Sequence, residues 1–259
     1  MADLRAIYAI WYREVLRLRR DRLRLVGQFV SPLLFLVVFG VGLARAMGTL
    51  AAGLNFTQFL FPGLLAMTVL MSSFMSGVSV VWEREMGFLK EVLVAPVSRA
   101  SIVLGKTLGG ATLAMVQGGL MLLLAPALGI GLSARMVLVL LPMMLLLALA
   151  LGGLGVLLAS RMRSMEGFFV IMNMFITPLI FLSGVFFPIG GLPGWLNLVV
   201  KANPVTYGVD SLRQLMLGGM APSLTLFDYR LAIWQDAALM ALFGTATIAL
   251  AIWSFSVVE

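Results

Sequence analysis

The sequence predicts an all-α protein that crosses a membrane six times. Of its 259 residues, 61% are hydrophobic and only 11% are charged, whereas about a quarter of the residues in a soluble domain carry a charge. Mean hydropathy is +1.07. The apolar residues fall into six segments of about 20 residues or more, the length that a membrane-crossing helix needs. A helix is expected because it satisfies its own backbone hydrogen bonds in lipid.

The six predicted spans form one transmembrane domain over residues 1–259. They are residues 25–44, 59–81, 102–128, 136–159, 167–187 and 231–258. Thirteen Lys and Arg lie before the first span, between the second and third spans or, for Lys106, at the start of the third span, or between the fourth and fifth, and five lie in the other connections. Because the positively charged connections stay in the cytoplasm, we predict a multi-pass protein of the inner membrane with both termini cytoplasmic.

Residues 1–24 precede the first span and predict an amphipathic helix on the inner membrane surface. Its apolar residues recur every three or four positions, as on one helical face, at Leu4, Ile7, Tyr8, Trp11, Val15 and Leu18. Arginines follow their own helical spacing, at Arg13, Arg17, Arg20 and Arg24. Such a helix suits an anchor at headgroup depth, and equally a contact surface for a partner protein.

Residues 82–99 carry six charges, three of each sign, between two long apolar segments. The pattern predicts a cytoplasmic helix over residues 82–94, ended by Pro96. The charged face of this helix holds Glu83, Arg84, Gly87, Lys90 and Glu91. Because acidic side chains add little to cytoplasmic retention, the mixed charge favours a protein partner with matching charges. Gly87 would allow that partner to approach closely.

Gly105-Lys106-Thr107 has the last three residues of an ATP-binding G-x-x-x-x-G-K-[ST] loop. The loop would need a glycine where this chain has Ala100, and the segment opens an apolar span instead of following a strand. We therefore exclude ATP binding here and expect Lys106 to reach toward the membrane surface. The sequence has no Cys and no His, which removes thiol nucleophiles, imidazole bases and the usual zinc ligands.

Residues 188–219, before the last span, are apolar for an external loop. Asn203 and Pro204 predict a helix start, with an N-cap followed by proline at the first helical position, and Gly218-Gly219 predicts its end. An apolar stripe lies between them, at Val205, Val209, Leu212 and Met216. We predict short helices that re-enter the outer leaflet. Within them lie Tyr207, Asp210 and Arg213, the last two paired at i,i+3. This group either gates or braces the outer mouth, or the pair is purely structural.

Two of the predicted spans have a polar face. In the second span this face holds Thr68, Ser72, Ser76 and Ser79, and in the fifth it holds Asn173 and Thr177. Polar faces of membrane helices turn inward and can line a substrate path, but packed membrane helices use the same residue types at their contacts. None of the spans has a charge at its centre, which argues against a proton relay and suits an amphipathic or lipid-like cargo.

Two motifs resemble those of the type-2 ABC transporter permease family. The first follows the second span as E-x-E-x-G-x-L-x-x-L-x-x-x-P-x-x-R, here Glu83, Glu85, Gly87, Leu89, Val92 or Leu93, Pro96 and Arg99. The second precedes the last span as N-P-x-T-Y-x-x-D-x-x-R, here Asn203, Pro204, Thr206, Tyr207, Asp210 and Arg213. With the N-terminal helix and the six spans, the resemblance covers essentially the whole chain.

The resemblance implies half of the translocation path of an ABC exporter, of the type that exports drugs, lipids or polysaccharides. Two such chains would pair, as a homodimer, and each would bind a separate ATPase subunit that holds ATP and Mg. This chain itself would have no catalytic, cofactor or metal residues. Residues 82–94 would be the coupling helix and residues 1–24 the connecting helix beside it. The implied ATPase contacts are Glu83, Arg84, Glu85, Gly87, Lys90, Glu91 and Arg99.

Two other functions are compatible with the sequence. One is a membrane-embedded enzyme that acts on lipid, with Glu83 and Glu85 as metal ligands or acid–base groups. The other is a channel or structural oligomer without an energy source. Dependence on a partner separates the three, because an exporter subunit needs an ATPase, an enzyme works alone and a channel conducts without ATP.

Overall fold

The computed structural model describes residues 2–20, 22–42, 55–88, 97–189, 192–218, 224–226 and 229–257. The helices in these ranges are α1 (Ala2–Arg20), α2 (Arg22–Phe35), α3 (Phe56–Glu85), α4 (Arg99–Leu122), α5 (Ala134–Arg161), α6 (Met165–Phe181), α7 (Gly194–Ala202), α8 (Pro204–Leu217) and α9 (Ile233–Val257). A π-helical stretch, Leu36–Val41, continues α2, and the 3-10 turn Pro126–Leu128 follows α4. The all-α prediction missed one small feature, the antiparallel pair of two-residue strands β1 (Thr225–Leu226) and β2 (Tyr229–Arg230).

Four described helices are long and apolar enough to cross a membrane: Phe56–Glu85, Arg99–Leu128, Ala134–Arg161 and Ile233–Val257. They correspond to the second, third, fourth and sixth predicted spans. The first and fifth correspond to shorter apolar helices, Phe29–Gly40 and Met165–Phe181. The fifth is shorter than its apolar segment because the chain turns after Phe181, and Gly184 has a positive φ of 75°. Residues 182–187 are mostly apolar, but they lie after the end of the helix.

The α3 helix lies at the centre of the bundle, with α4, α5 and α8 packed around it. Nearly all of its residues are buried, from Phe56 to Glu83. Glycine brings α3 and α5 into close contact, since a Cβ added at Gly77 would overlap the carbonyl oxygen of Gly155. This is the small-residue packing that membrane helices use, because it lets two backbones approach.

The N-terminal helix α1 packs along α4. Gly105 and Gly109, one turn apart in α4, open a groove: a Cβ at Gly105 would lie 2.8 Å from Ile10 Cβ, and one at Gly109 would lie 2.6 Å from Glu14 Cβ. Trp11 donates its indole N–H to Thr112 Oγ1 at 2.8 Å. One face of the predicted amphipathic helix is therefore occupied by protein.

The α8 helix begins and ends as predicted. The Asn203 side chain caps the backbone N–H of Val205 at 3.0 Å, Pro204 occupies the first helical position, and Gly218 stops the helix with a φ of +59°. The predicted apolar stripe is buried, and α8 packs against α3, α5 and α9. Both the capping signals and the helical periodicity are confirmed.

Candidate functional site

A cluster of charged side chains joins α1, α3 and α4 near the end of α3. Lys106 of α4 donates to Glu14 Oε1 at 2.6 Å, to Glu83 Oε1 at 2.7 Å and to Ser79 Oγ at 3.2 Å. Arg13 of α1 donates to the same Glu83 oxygen at 2.5 Å. We call Arg13, Glu14, Arg17, Glu83 and Lys106 the ion-pair cluster. It connects three separate helices through two carboxylates that share one ammonium group.

The centre of the ion-pair cluster is buried. The side chains of Glu83 and Lys106 are 0% and 1% exposed. Ions removed from water in this way are retained only when they are paired and hydrogen-bonded. The short contacts pair Glu83 through Oε1, whereas its Oε2 is buried with no partner among the described residues. Arg17 lies farther out, 3.7 Å from Glu83 and 3.8 Å from Glu14.

Glu14 is ionised within this cluster. Burial by itself would raise the pKa of Glu14, but the charge of Lys106, its hydrogen bond, and the charges of Arg17 and Arg13 outweigh that effect. The pKa of Glu14 therefore lies below its ordinary value. At neutral pH the carboxylate contributes a full negative charge that holds α1 on α4.

Two expectations about this cluster were wrong. Glu83 was expected to face a partner protein, but its carboxylate lies inside the chain, because the second span continues as α3 to Glu85 and carries Glu83 against α4. Lys106 was expected to reach toward the membrane surface, but it turns inward to the two acids. The sequence did contain a signal for this pairing. Lys106 is a lone Lys within an apolar segment, and a buried cation needs a carboxylate partner.

The predicted helix over residues 82–94 is interrupted. The α3 helix ends at Glu85, and Gly87 follows with a φ of +76°, a left-handed conformation that commonly ends a helix at glycine. The N–H of Met86 bonds to Trp82 O, and the N–H of Gly87 bonds to Arg84 O. Lys90 and Glu91 lie outside the described residues. A Cβ at Gly87 would meet no atom within 4 Å, so the close approach of a partner there stays a prediction.

Arg84 and Glu85 bind the connection between α5 and α6. Arg84 Nη1 donates to the carbonyl oxygens of Ser160 at 2.8 Å and Met162 at 2.7 Å. These carbonyls at the end of α5 lack helical donors, and a cation satisfies them. Glu85 Oε2 accepts the N–H of Met165 at 3.3 Å, at the start of α6. Both side chains therefore have contacts within the chain.

Arg99, the last of the implied contacts, begins α4 and is half-buried. The start of α4 is held by α1, because Ser98 caps the N–H of Ser101 at 3.2 Å and Ser101 Oγ donates to Asp3 Oδ1 at 3.0 Å. Hydrogen bonds from the side chains of Ser98 and Ser101 to Asp3 hold the pKa of Asp3 below its ordinary value. The N-terminal helix is therefore attached to α4 near both of its ends.

Large apolar side chains are exposed beside the ion-pair cluster. They are Trp82, Met86 and Phe88, which we call the end surface. The guanidinium of Arg17 lies 5.1 Å from the Trp82 ring centroid, and that of Arg13 lies 5.5 Å from the Phe88 ring centroid. These are cation–π distances. The same two arginines therefore contact both the exposed end surface and the buried Glu83.

The polar face of the second predicted span lies within the chain. Thr68, Ser72, Ser76 and Ser79 are all buried. Ser72 bonds to Gln117 of α4, and Ser76 Oγ donates to Gly152 O of α5 at 3.1 Å. This corresponds to the helix-packing alternative rather than the path-lining one. Asn173 and Thr177 of α6 are exposed instead, and a path lined by these two stays a prediction.

The predicted outer group is distributed over several partners. Tyr207 donates to Lys201 O at 2.5 Å, and Asp210 accepts the N–H of Leu224 at 3.0 Å. Arg213 donates to Gly184 O at 2.8 Å and lies 4.1 Å from the Phe59 ring centroid. These contacts tie α8 to α3, to the chain before it and to the chain after it, and a role in gating or bracing the outer mouth stays a prediction.

Sequence reasoning missed Gln214, which links α8 to α9. Its amide nitrogen donates to Asp210 Oδ2 at 2.7 Å, to Leu231 O at 3.1 Å and to Asp236 Oδ2 at 3.4 Å. The position one turn after Asp210 was the only signal in the sequence. Among the described residues, no group of three or more His, Cys, Asp or Glu could hold a metal ion.

Comparison with known proteins gives a consistent picture. Residues 5–217 match the profile of the family described as ABC-2 type transporter. A protein of Cyanophora paradoxa named as transport permease ycf38 is 28% identical over 215 residues, which cover 82% of this chain and 74% of that protein. Nodulation protein J of Rhizobium meliloti (strain 1021) is 29% identical over 213 residues, which cover 81% of this chain and 80% of that protein.

Proposed function

We propose that this chain, which belongs to the ABC-2 type transporter family, is the membrane-spanning subunit of an ATP-driven exporter. Membership of that family makes it a multi-pass membrane permease. Two copies would form the translocation path, and each would bind a separate ATPase subunit that holds ATP and Mg. The membrane would be the inner membrane, crossed six times, with both termini cytoplasmic and with α7 and α8 re-entrant from the outer side.

The observation that carries this proposal is the position of the ion-pair cluster directly beside the exposed end surface. A partner that presses on Trp82, Met86 and Phe88 presses on the end of α3, on Gly87 and on the residues that follow. Arg13 and Arg17 contact these aromatic rings and also Glu83. A displacement at the end surface is therefore communicated to α1 and α4 as well as to α3.

Electrostatics make this connection stiff. Separating one buried ion from its partner leaves an uncompensated charge, which costs roughly 3–5 kcal/mol. The ends of α1, α3 and α4 would therefore move together when the ATPase subunits close on ATP. In this view Glu83 transmits the motion from inside the chain, and the outward contacts belong to the end surface, Glu85 and the chain after Gly87.

The exposed face of α6 supports a path between two copies. Asn173 and Thr177 lie one turn apart on a helix whose other exposed residues, after Glu166 in its first turn, are apolar. Polar side chains of membrane helices turn toward protein or water rather than toward lipid. We place this face toward the second copy, where it would line the path.

The enzyme alternative is not favoured. Glu83 and Glu85 were its candidates for metal ligands or acid–base groups. The carboxylate of Glu83 is buried and paired with Lys106 and Arg13, and Glu85 accepts the N–H of Met165. A general acid or base must reach the substrate within hydrogen-bonding distance, and a fully enclosed carboxylate does not.

The end surface can be tested with two variants of one exposed residue. Met86→Asp puts a charge at the centre of this surface, whereas Met86→Leu keeps its size and polarity. We expect Met86→Asp to lose co-purification of the ATPase subunit and stimulation of its ATP hydrolysis in proteoliposomes, and Met86→Leu to keep both. Wild-type ATPase binding by a well-folded Met86→Asp protein would contradict docking at this surface.

A further inference from the structure

The α1 helix has three faces, and packing within the chain explains only one of them. The buried face holds Ile7, Ile10, Trp11 and Glu14, which meet α4. A second face is an exposed apolar stripe of residues one turn apart, namely Leu4, Tyr8, Tyr12 and Leu16. The rings of Tyr8 and Tyr12 stack at 5.9 Å. The third face is basic and lies next to this stripe.

The basic face forms a recess of about 440 Å³ lined by Arg13, Leu16, Arg17 and Arg20. We call it the basic recess. Leu16 belongs both to the recess and to the exposed stripe. The recess therefore opens directly beside apolar surface.

Donor groups in the basic recess are incompletely used. Arg13 Nε is buried and has no hydrogen-bond partner within the part of the chain that the structure describes. The contacts of Arg17 to Glu14 and Glu83 are 3.8 and 3.7 Å, longer than a hydrogen bond. Arg20 is exposed. Among the described residues, Arg13, Arg17 and Lys106 contact two carboxylates, Glu14 and Glu83, so one positive charge is in excess within this group, and the exposed Arg20 adds another beside it.

We propose that the basic recess binds the phosphate group of an anionic phospholipid. Guanidinium groups present planar pairs of donors that match phosphate oxygens, and the excess charge favours an anion. The Tyr8, Tyr12 and Leu16 stripe suits the glycerol and upper acyl region, where aromatic side chains lie at membrane interfaces. A phospholipid presents both chemistries next to each other.

This site also connects lipid to the ion-pair cluster. Arg13 and Arg17 line the recess and contact Glu83, so a bound phosphate would hold the second half of α1 at the membrane surface. Binding itself does not depend on the proposed transport function. It can be measured on the purified chain without any ATPase subunit.

The test is a lipid titration of the purified full-length chain in detergent, read by native mass spectrometry with phosphatidylglycerol. We expect Arg20→Gln to weaken binding about fivefold, and Arg17→Gln with Arg20→Gln to weaken it about 25-fold, the effect of one and two phosphate-contacting arginines. Arg163→Gln is the matched control. It removes an exposed arginine near the end of α5, at the same end of the bundle, and should leave binding unchanged.

A second variant identifies the source of the phosphate. Tyr12→Ser removes an exposed ring from the stripe and should weaken phosphatidylglycerol binding but not the weak binding of inorganic phosphate. Equal losses for Arg20→Gln and Arg163→Gln would overturn the proposal, as would no loss for Arg20→Gln. Displacement of the lipid by equimolar inorganic phosphate would also overturn it. If Arg20→Gln keeps lipid binding but loses the ATPase subunit, the recess is a protein contact and the lipid proposal fails.

Discussion

Glu14 and Glu83 share one ammonium group, because Lys106 Nζ lies 2.6 Å from an oxygen of the first and 2.7 Å from an oxygen of the second. One acid lies on the N-terminal helix and the other at the end of the central helix. The two helices are not consecutive in the chain, because α2 lies between them. The shared cation is therefore a tertiary contact. The same ion pairs therefore hold α1 against α4 and fix the position of the end surface.

Replacing Lys106 with Met should destabilise the protein strongly. The substitution keeps the side-chain length but leaves Glu14 and Glu83 without their common cation, and we expect a loss of about 3 kcal/mol in the free energy of unfolding. Thermal unfolding in detergent measures this. Lys201→Met is a control on a half-buried lysine outside the cluster. A double variant, Lys106→Met with Glu83→Met, should recover part of the loss, and strict additivity of the two substitutions would contradict a direct pairing.

The attachment of α1 should weaken in acid. The folded state holds the pKa of Glu14 below the ordinary value of 4.5, so the unfolded state binds its proton first as the pH falls. The resulting stabilisation is fully present above pH 4.5 and is lost as the pH falls through the lower, folded-state pKa. Melting temperatures between about pH 3 and pH 7 should therefore fall more steeply at the acid end for wild type than for Glu14→Gln. Parallel curves for the two proteins would contradict this role of Glu14.

Arg213 should be intolerant of substitution by Lys. Its guanidinium donates to Gly184 O, and its Cζ lies over the Phe59 ring, 4.1 Å from the ring centroid. An ammonium group cannot reproduce both contacts. We expect Arg213→Lys to lower the free energy of unfolding by about 2 kcal/mol. Arg135→Lys, at an exposed arginine, should change it little. Equal stability of the two variants would argue against the brace.

Gly87→Ala should be destabilising even though the site has open space around it. A Cβ at Gly87 would meet nothing, but its φ of +76° is unfavourable for any L side chain, by about 1–2 kcal/mol. Gly119→Ala is the matched control, because Gly119 also has open space but lies within α4, where alanine stabilises a helix by roughly 1 kcal/mol. Thermal unfolding of both variants should shift in opposite directions. A shift of the same sign would mean that residue 87 adopts another conformation.

Local signals in the sequence were sufficient wherever a feature depends on neighbours along the chain. The helix from Pro204 to Leu217 was predictable because an Asn cap, a first-position proline and a terminal glycine act within one or two turns. The buried stripe of that helix follows from the 3.6-residue period alone. The composition was likewise enough to predict long apolar helices, four of which the structure describes.

Features that depend on a distant partner required the structure. Glu83 could be read as part of a contact surface, because it lies in a run of mixed charges, and Lys106 as a membrane anchor, because it is an isolated charge in an apolar segment. Their pairing depends on Gly105 and Gly109 opening a groove for α1, and on α3 continuing far enough to bring Glu83 to α4. The spacing of residues along one helix cannot predict a contact that involves three helices.

The sequence by itself therefore determined the membrane class, the helical periodicity, the caps around α8 and the family resemblance, because each rests on composition or on short-range geometry. Only the tertiary structure decided which charges are buried and which are exposed. It placed Glu83 inside and Trp82, Met86 and Phe88 outside. The reason is that burial is set by the packing of α1, α3 and α4 on one another, and a charge in that contact must find its opposite on a helix that is remote in sequence.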